Sequence, residues 1–228
     1  RPIFDHSLVP DVLRDDPDLI GISIPCVAQI HGAMTIARAI KAAGARAHVV
    51  VGGPMVTTWR DQLANVPAMF ELFDSAVVFD GEEPLLRLCQ ALERGDSLEA
   101  VPNLIWRDGD AIRVNPRKRQ AKLPDLPAPD FDGLPIDRYL APEPVLPLAM
   151  ARGCYFGKCA FCNVGYGEAE VFSQLKPEPL LDQMLRLTER HGSRRVFFVD
   201  EAMPPRLIRD VAPELERLGT PLRWGDVA

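Results

Sequence analysis

The sequence predicts an α/β chain in three parts. Residues 1–122 form a doubly wound parallel-sheet domain, residues 123–145 a proline-rich linker, and residues 146–228 the start of a second domain of repeating βα units. Three observations carry this. Apolar strand-like runs alternate with helical patterns through the first half, the mark of βαβ units and a parallel sheet. Proline then becomes dense from Leu123 to Pro147, which excludes helix and central strand. Beyond it, strand and helix signals alternate again.

The elements follow in order. Residues 18–25, DLIGISIP, are a short apolar run closed by Pro25 and read as a buried strand. Residues 29–44 carry Ile30, Ala33, Met34, Ala37 and Ile40 at helical spacing and stop at Gly44. Residues 45–54 read as strand then turn, 61–73 as a weaker helix broken at Pro67, and 75–84 as strand into turn. A helix over 82–95 ends at Gly95, and 103–115 reads as a hairpin around Asp108-Gly109. In the last third, 145–153 is an apolar run and 177–192 an amphipathic helix with Leu180, Leu181, Met184, Leu185 and Thr188 on one face. Residues 194–205 form a strand, 206–219 a second helix, and 222–227 a third strand.

Composition limits the functions available. Of 228 residues, 47% are hydrophobic and 25% charged, as in ordinary globular domains. The net charge of −6 excludes general phosphate-backbone binding, so no nucleic-acid partner is expected. The one basic run, Arg117-Lys118-Arg119, reads as a solvated turn. No stretch reaches the length of a membrane span, so no membrane partner is expected.

Three of the five cysteines, Cys154, Cys159 and Cys162, stand within nine residues as C-x4-C-x2-C. That grouping fits a reducing, cytoplasmic setting and a metal site rather than a disulfide framework. Three thiolates on one loop can hold an iron–sulfur cluster and leave one iron open to an outside ligand. Gly153 and Gly157 give the loop the backbone freedom it needs. The alternatives are a zinc knuckle or unligated thiols, but zinc wants a second Cys or His pair, and His191 stands isolated at a helix end. Cys26 and Cys89 read as buried structural thiols, and Trp59, Trp106 and Trp224 are too scattered to mark a site.

The stretch RGCYFGKCAFC, residues 152–162, resembles the motif of radical S-adenosylmethionine enzymes, whose usual spacing is C-x3-C-x2-C. Phe161 stands where that family has an aromatic before the last cysteine, and the extra residue after Cys154 is similar to forms with a cobalamin-binding domain upstream. The resemblance implies that Cys154, Cys159 and Cys162 ligate a 4Fe-4S cluster. Its open iron would chelate S-adenosylmethionine and cleave it to a 5′-deoxyadenosyl radical. Asp200 and Glu201 fall where the family places acids that contact the methionyl amine or ribose, at the carboxyl end of a strand. Residues 146–228 would be the truncated start of the family's βα-barrel.

DLIGIS, VVVGGP and VVFDGEEP in turn resemble the cobalamin-binding domain that precedes the radical domain in a large enzyme class. Gly52 and Gly53 would let the backbone approach the nucleotide tail, Ser23 would donate a hydrogen bond to it, and Gly81 with Glu82 would lie at the same edge. His31 lacks the Asp-x-His-x-x-Gly setting of a cobalt ligand and reads as a helix N-terminal residue. If residues 18–25 are the third strand of such a domain, two strands precede Arg1, and two βα units with one further strand close no barrel. The chain is expected to be a fragment.

The cofactors expected are a 4Fe-4S cluster, S-adenosylmethionine and cobalamin. The resemblance implies a methyltransferase acting on an unactivated carbon of a peptide or natural product, methylcobalamin giving the methyl group. A small-molecule or peptide substrate and a reductant such as flavodoxin or ferredoxin would be the partners. A cyclase or rearrangement enzyme of the porphyrin-ester type, or a non-catalytic iron–sulfur or zinc module, are the alternatives.

Overall fold

The computed structural model describes residues 3–118, 121–162, 172–219 and 222–226. It divides into two compact units, Arg1–Gln120 and Ala121–Ala228.

The first unit opens with a helical segment, Phe4–Leu8 running into α1 (Val9–Val12), which the sequence reading leaves unassigned. Next come β1 (Leu19–Ser23), α2 (Ile30–Ala42), β2 (His48–Gly52), α3 (Pro54–Thr58), α4 (Arg60–Leu63) and β3 (Ser75–Val77). The unit continues with α5 (Glu82–Arg94), β4 (Leu104–Asp108) and β5 (Ala111–Val114). Strand order is β1-β2-β3-β4-β5. Ile22 pairs with Val51 and Val51 with Ala76 in parallel register, whereas Ala76 pairs with Ile105 antiparallel. The sheet is therefore mixed rather than parallel throughout, because the Asp108-Gly109 hairpin joins its edge.

Why β2 is an unbroken valine run is visible in its neighbours. Val49 and Val51 pack with Ala33, Ala37 and Ile40 of α2, while Val50 packs with Leu88 and Ala91 of α5. Helices cover both faces, so Val49, Val50 and Val51 are buried in succession. Cys26 and Cys89 are exposed, contrary to the expectation of buried thiols. Cys26 lies in the loop after β1, and Cys89 is one residue past Leu88, off the stripe of α5 that faces the sheet. The basic run is also not a free turn. Lys118 Nζ reaches Glu83 Oε1 at 2.6 Å, and the Arg117 guanidinium carbon stands 3.7 Å from the Phe79 ring centroid.

The second unit contains β6 (Val145–Leu148), β7 (Ala151–Arg152), β8 (Ser173–Gln174), α6 (Pro177–Arg190), β9 (Arg195–Phe198), α7 (Pro205–Arg217) and β10 (Arg223–Asp226). β6, β9 and β10 are parallel and adjacent in that order, with α6 and α7 as crossovers. Leu146, Leu148, Val196 and Phe198 from the sheet pack with Leu180, Met184 and Leu187 of α6 and with Leu207, Val211 and Leu215 of α7. Leu187, not Leu185, completes the buried stripe of α6. The short antiparallel pair β7–β8 was not legible in the sequence. The proline-rich stretch lies in this unit, where Phe131 is 9% exposed within the same core and Asp132 pairs with Arg190. Among the described residues no helix is long and apolar enough to cross a membrane.

Candidate functional site

In the first unit a cavity of about 410 Å³ opens at the carboxyl ends of β1, β2 and β3. Parallel sheets leave such crevices where successive crossovers diverge. Ser23, Gly52, Gly53 and Gly81, four residues singled out in the sequence, all line it, with Phe79 and Leu85 as its bulkier walls. Glu82 starts α5 beside them and is not part of the lining; at the first turn its carboxylate suits the positive end of the helix dipole. His31, on α2, lines a different cavity with Met34, Thr35 and Arg38.

The glycines differ in why they are needed. Gly53 has φ +98°, and a Cβ there would stand 2.9 Å from the Ile24 nitrogen and 3.0 Å from its carbonyl oxygen. The chain after β1 is pressed onto Gly53, held by Ile24 N–H to Gly52 O at 2.8 Å and Met55 N–H to Ile24 O at 3.1 Å. Gly53 therefore has a reason internal to the fold. Gly81 is different: a Cβ there would meet nothing within 4 Å.

In the second unit the three-cysteine loop leaves β7. Cys154 is partly buried, and Cys159 and Cys162 are exposed. Cys162 N–H donates to Cys159 O at 3.2 Å, which folds the C-x2-C segment into a turn. Phe161 is 93% exposed, an aromatic with no place in the core of its own unit. Residues 163–171, immediately after Cys162, lie outside the described residues. Among the described residues no three His, Cys, Asp or Glu side chains gather as for a metal ion.

Asp200 and Glu201, past the end of β9, both engage the backbone leading into this loop. Asp200 is 7% exposed, and its Oδ1 accepts from Met150 N–H at 3.0 Å and Ala151 N–H at 2.5 Å. Glu201 Oε2 accepts from Gly153 N–H at 3.1 Å, where φ is +76°. Burial pushes the Asp200 carboxyl up to about 6; the two backbone donors oppose this, while the nearby Asp226 and Glu201 charges add to it. Asp226, at the end of β10, is a residue that the sequence reading missed. Both of its carboxylate oxygens are buried and without a hydrogen-bond partner among the described residues. Its only sequence signal is its place at a strand carboxyl end. Phe79, in the lining of the first unit's cavity, was likewise missed.

Comparison with known proteins bears on both regions. Residues 4–88 match the family of the B12 binding domain. An uncharacterised methyltransferase of Pyrococcus horikoshii is 27% identical over 218 residues, which are 93% of this chain and 46% of the relative. An uncharacterised methyltransferase of a Synechocystis species is 29% identical over 163 residues, 69% of this chain and 25% of the relative. The chain thus spans less than half the length of these curated relatives. Among solved structures, the cobalamin-dependent S-adenosylmethionine radical enzyme OxsB aligns with a TM-score of 0.73 at 20% identity, over 97% of this chain and 32% of that one. TsrM from Kitasatospora setae, a radical S-adenosylmethionine methyltransferase, aligns with a TM-score of 0.67 at 17% identity, over 96% of this chain and 46% of that one. At these identities the likeness establishes the fold.

Proposed function

We propose, on the premise that residues 4–88 form a B12 binding domain and that the chain shares its fold with cobalamin-dependent radical S-adenosylmethionine enzymes, that it is part of such an enzyme and methylates an unactivated carbon of a peptide or natural product. One observation carries the reading. The same chain holds a glycine-lined cavity at the carboxyl ends of one sheet and a three-cysteine loop anchored by acids at the carboxyl end of another. Residues 146–228 are then the first strands and helices of a radical βα-barrel.

Three thiols at C-x4-C-x2-C are a donor set that fits a four-iron cluster with one iron left open, so Cys154, Cys159 and Cys162 would hold it. Bound, the cluster and cobalamin supply reductive cleavage of S-adenosylmethionine and carriage of a methyl group. The chain's own part is to bind and orient. Ser23, Gly52 and Gly53, with Gly81 and Glu82 at the head of α5, would hold cobalamin. Asp200 and Glu201 fix the backbone on which Cys154 is mounted, and Phe161 offers an exposed ring beside the last cysteine. The Asp226 carboxyl group, buried and without a hydrogen-bond partner among the described residues, would offer the same strand ends an acceptor for the methionyl ammonium. The protein would act in the cytoplasm, with flavodoxin or ferredoxin as electron donor and a small molecule or peptide as substrate.

Anaerobic reconstitution tests the cluster: about four irons and four sulfides per chain are expected. Cys159→Ala should drop iron and S-adenosylmethionine cleavage to background. Stoichiometric zinc without sulfide would refute the ligand assignment. With the full-length protein, S-adenosylhomocysteine formed alongside 5′-deoxyadenosine would mark methyl transfer; 5′-deoxyadenosine alone would mark another radical outcome.

A further inference from the structure

Among the described residues three that are not glycine have positive φ: Asp16, Phe79 and Asn103. Asp and Asn tolerate that region because their short polar side chains bond locally, whereas for a bulky side chain it is a strained outlier. Phe79, at +65°, is therefore held there by its surroundings. It stands two residues past the end of β3, in the lining of the cavity with Gly52, Gly53 and Gly81.

The hold on its backbone comes from α3. The hydroxyl of Thr57, fully buried, accepts from Phe79 N–H at 2.7 Å and donates to Gly53 O at 3.3 Å. One side chain thus ties the turn after β2 to the turn after β3. The β2–β3 ladder ends at the Val51–Ala76 pair, so past it strand pairing no longer sets the spacing of the two turns. The guanidinium carbons of Arg117 and Arg60, 3.7 and 5.3 Å from the Phe79 ring centroid, steady the ring, but as donors they cannot take its N–H. A backbone N–H in such a place needs an acceptor, and the Thr57 hydroxyl supplies it.

We infer that Thr57 is a positioning residue of the cobalamin cavity: its hydroxyl sets the distance between the two turns and keeps Phe79 in the left-handed conformation on which the shape of the cavity wall depends. The inference rests on the reading of this cavity as the cobalamin site, and it adds a residue that acts on the lining from behind. Without the hydroxyl, Phe79 is free to leave the strained region, and the chain spends part of its time with a wall that does not fit. The apparent dissociation constant then rises in inverse proportion to the fraction that remains competent.

Two substitutions separate positioning from stability. Thr57→Ser keeps the hydroxyl and loses a buried methyl; Thr57→Val keeps the branched shape and loses the hydroxyl. Both should lower the unfolding midpoint, so a merely structural role would weaken binding in both alike. Each chain is titrated with aquacobalamin by equilibrium dialysis, well below its unfolding midpoint and with its fold checked by circular dichroism. Thr57→Val should weaken binding about tenfold, the competent turn falling to about a tenth of the population, while Thr57→Ser stays within about twofold of the unaltered chain. Hydrogen exchange at the Phe79 amide reads the bond itself: protection should survive in Thr57→Ser and be lost in Thr57→Val. Unchanged binding or unchanged amide protection in Thr57→Val, or weakening by Thr57→Ser as large as that by Thr57→Val, would overturn the positioning role while leaving the cobalamin site in place. A Thr57→Val chain that does not fold would overturn it too, by making the hydroxyl a requirement of the fold rather than of the cavity. Failure of the unaltered chain to bind aquacobalamin would overturn the cobalamin reading, and the role of Thr57 with it.

Discussion

Gly53→Ala is expected to lower the unfolding midpoint of the first unit by about 10 °C or more, taking about 4–8 °C per kcal/mol. The cost has two sources. At φ +98° and ψ 176° the backbone lies in a region that is essentially reserved for glycine, worth about 1–3 kcal/mol. The added methyl would also press on the Ile24 nitrogen and carbonyl at 2.9–3.0 Å. Those are backbone atoms tied into the β1–β2 junction, and relieving such an overlap costs about 1–3 kcal/mol more. Differential scanning calorimetry measures the shift. A change under about 3 °C would show that β1 and β2 do not meet as described. Loss of corrinoid binding in any Gly53 variant would accordingly report a broken junction rather than a filled pocket.

Asp200 supplies the second large effect. Its carboxyl titrates higher in the folded chain than in the unfolded one, from 3.8 up to about 6, so its contribution favours folding below pH 4 and fades as pH rises through 6. At about 1.4 kcal/mol for each pH unit, the second unit should lose about 3 kcal/mol between pH 4 and pH 7 through this group. Asp200→Asn should remove that dependence, because the amide oxygen still accepts from Met150 and Ala151 while the buried charge is gone. Asp200→Ala also removes the charge but leaves two amides without an acceptor. It should be less stable than Asp200→Asn by about 2–5 kcal/mol at every pH. Urea unfolding at pH 4, 5.5 and 7 distinguishes the two variants. Equal stabilities would mean that Asp200 does not hold the backbone before Cys154.

Much of this was legible in the sequence because it depends on local pattern. The valine run of β2, the apolar stripe of α5, the Asp108-Gly109 turn and the clustered cysteines each encode their element within a few residues. Ser23, Gly52, Gly53 and Gly81 were legible as strand-end residues, and the sheet brings them to one cavity. What could not be read are relations across long separations. Asp200 meets Ala151 and Glu201 meets Gly153 across nearly fifty residues, so their hold on the loop backbone is a tertiary fact. Phe79 reads as an ordinary strand-end aromatic until Thr57, Arg60 and Arg117 converge on it. Cys89 misleads for the opposite reason. A cysteine in an apolar helix suggests burial, but its position around α5 turns it outward.

The central claim is that the glycine-lined cavity of the first unit binds cobalamin, and Gly81 tests it most directly. Gly81 is in the cavity lining and a Cβ there would meet nothing within 4 Å, so Gly81→Phe adds bulk at the lining without a backbone clash at the Cβ. Equilibrium dialysis of the chain against aquacobalamin should give one equivalent bound. Gly81→Phe should weaken binding about 5- to 150-fold, since overpacking costs about 1–3 kcal/mol, with an unchanged unfolding midpoint. No binding by the unaltered chain, or equal binding by a folded Gly81→Phe, would contradict the account.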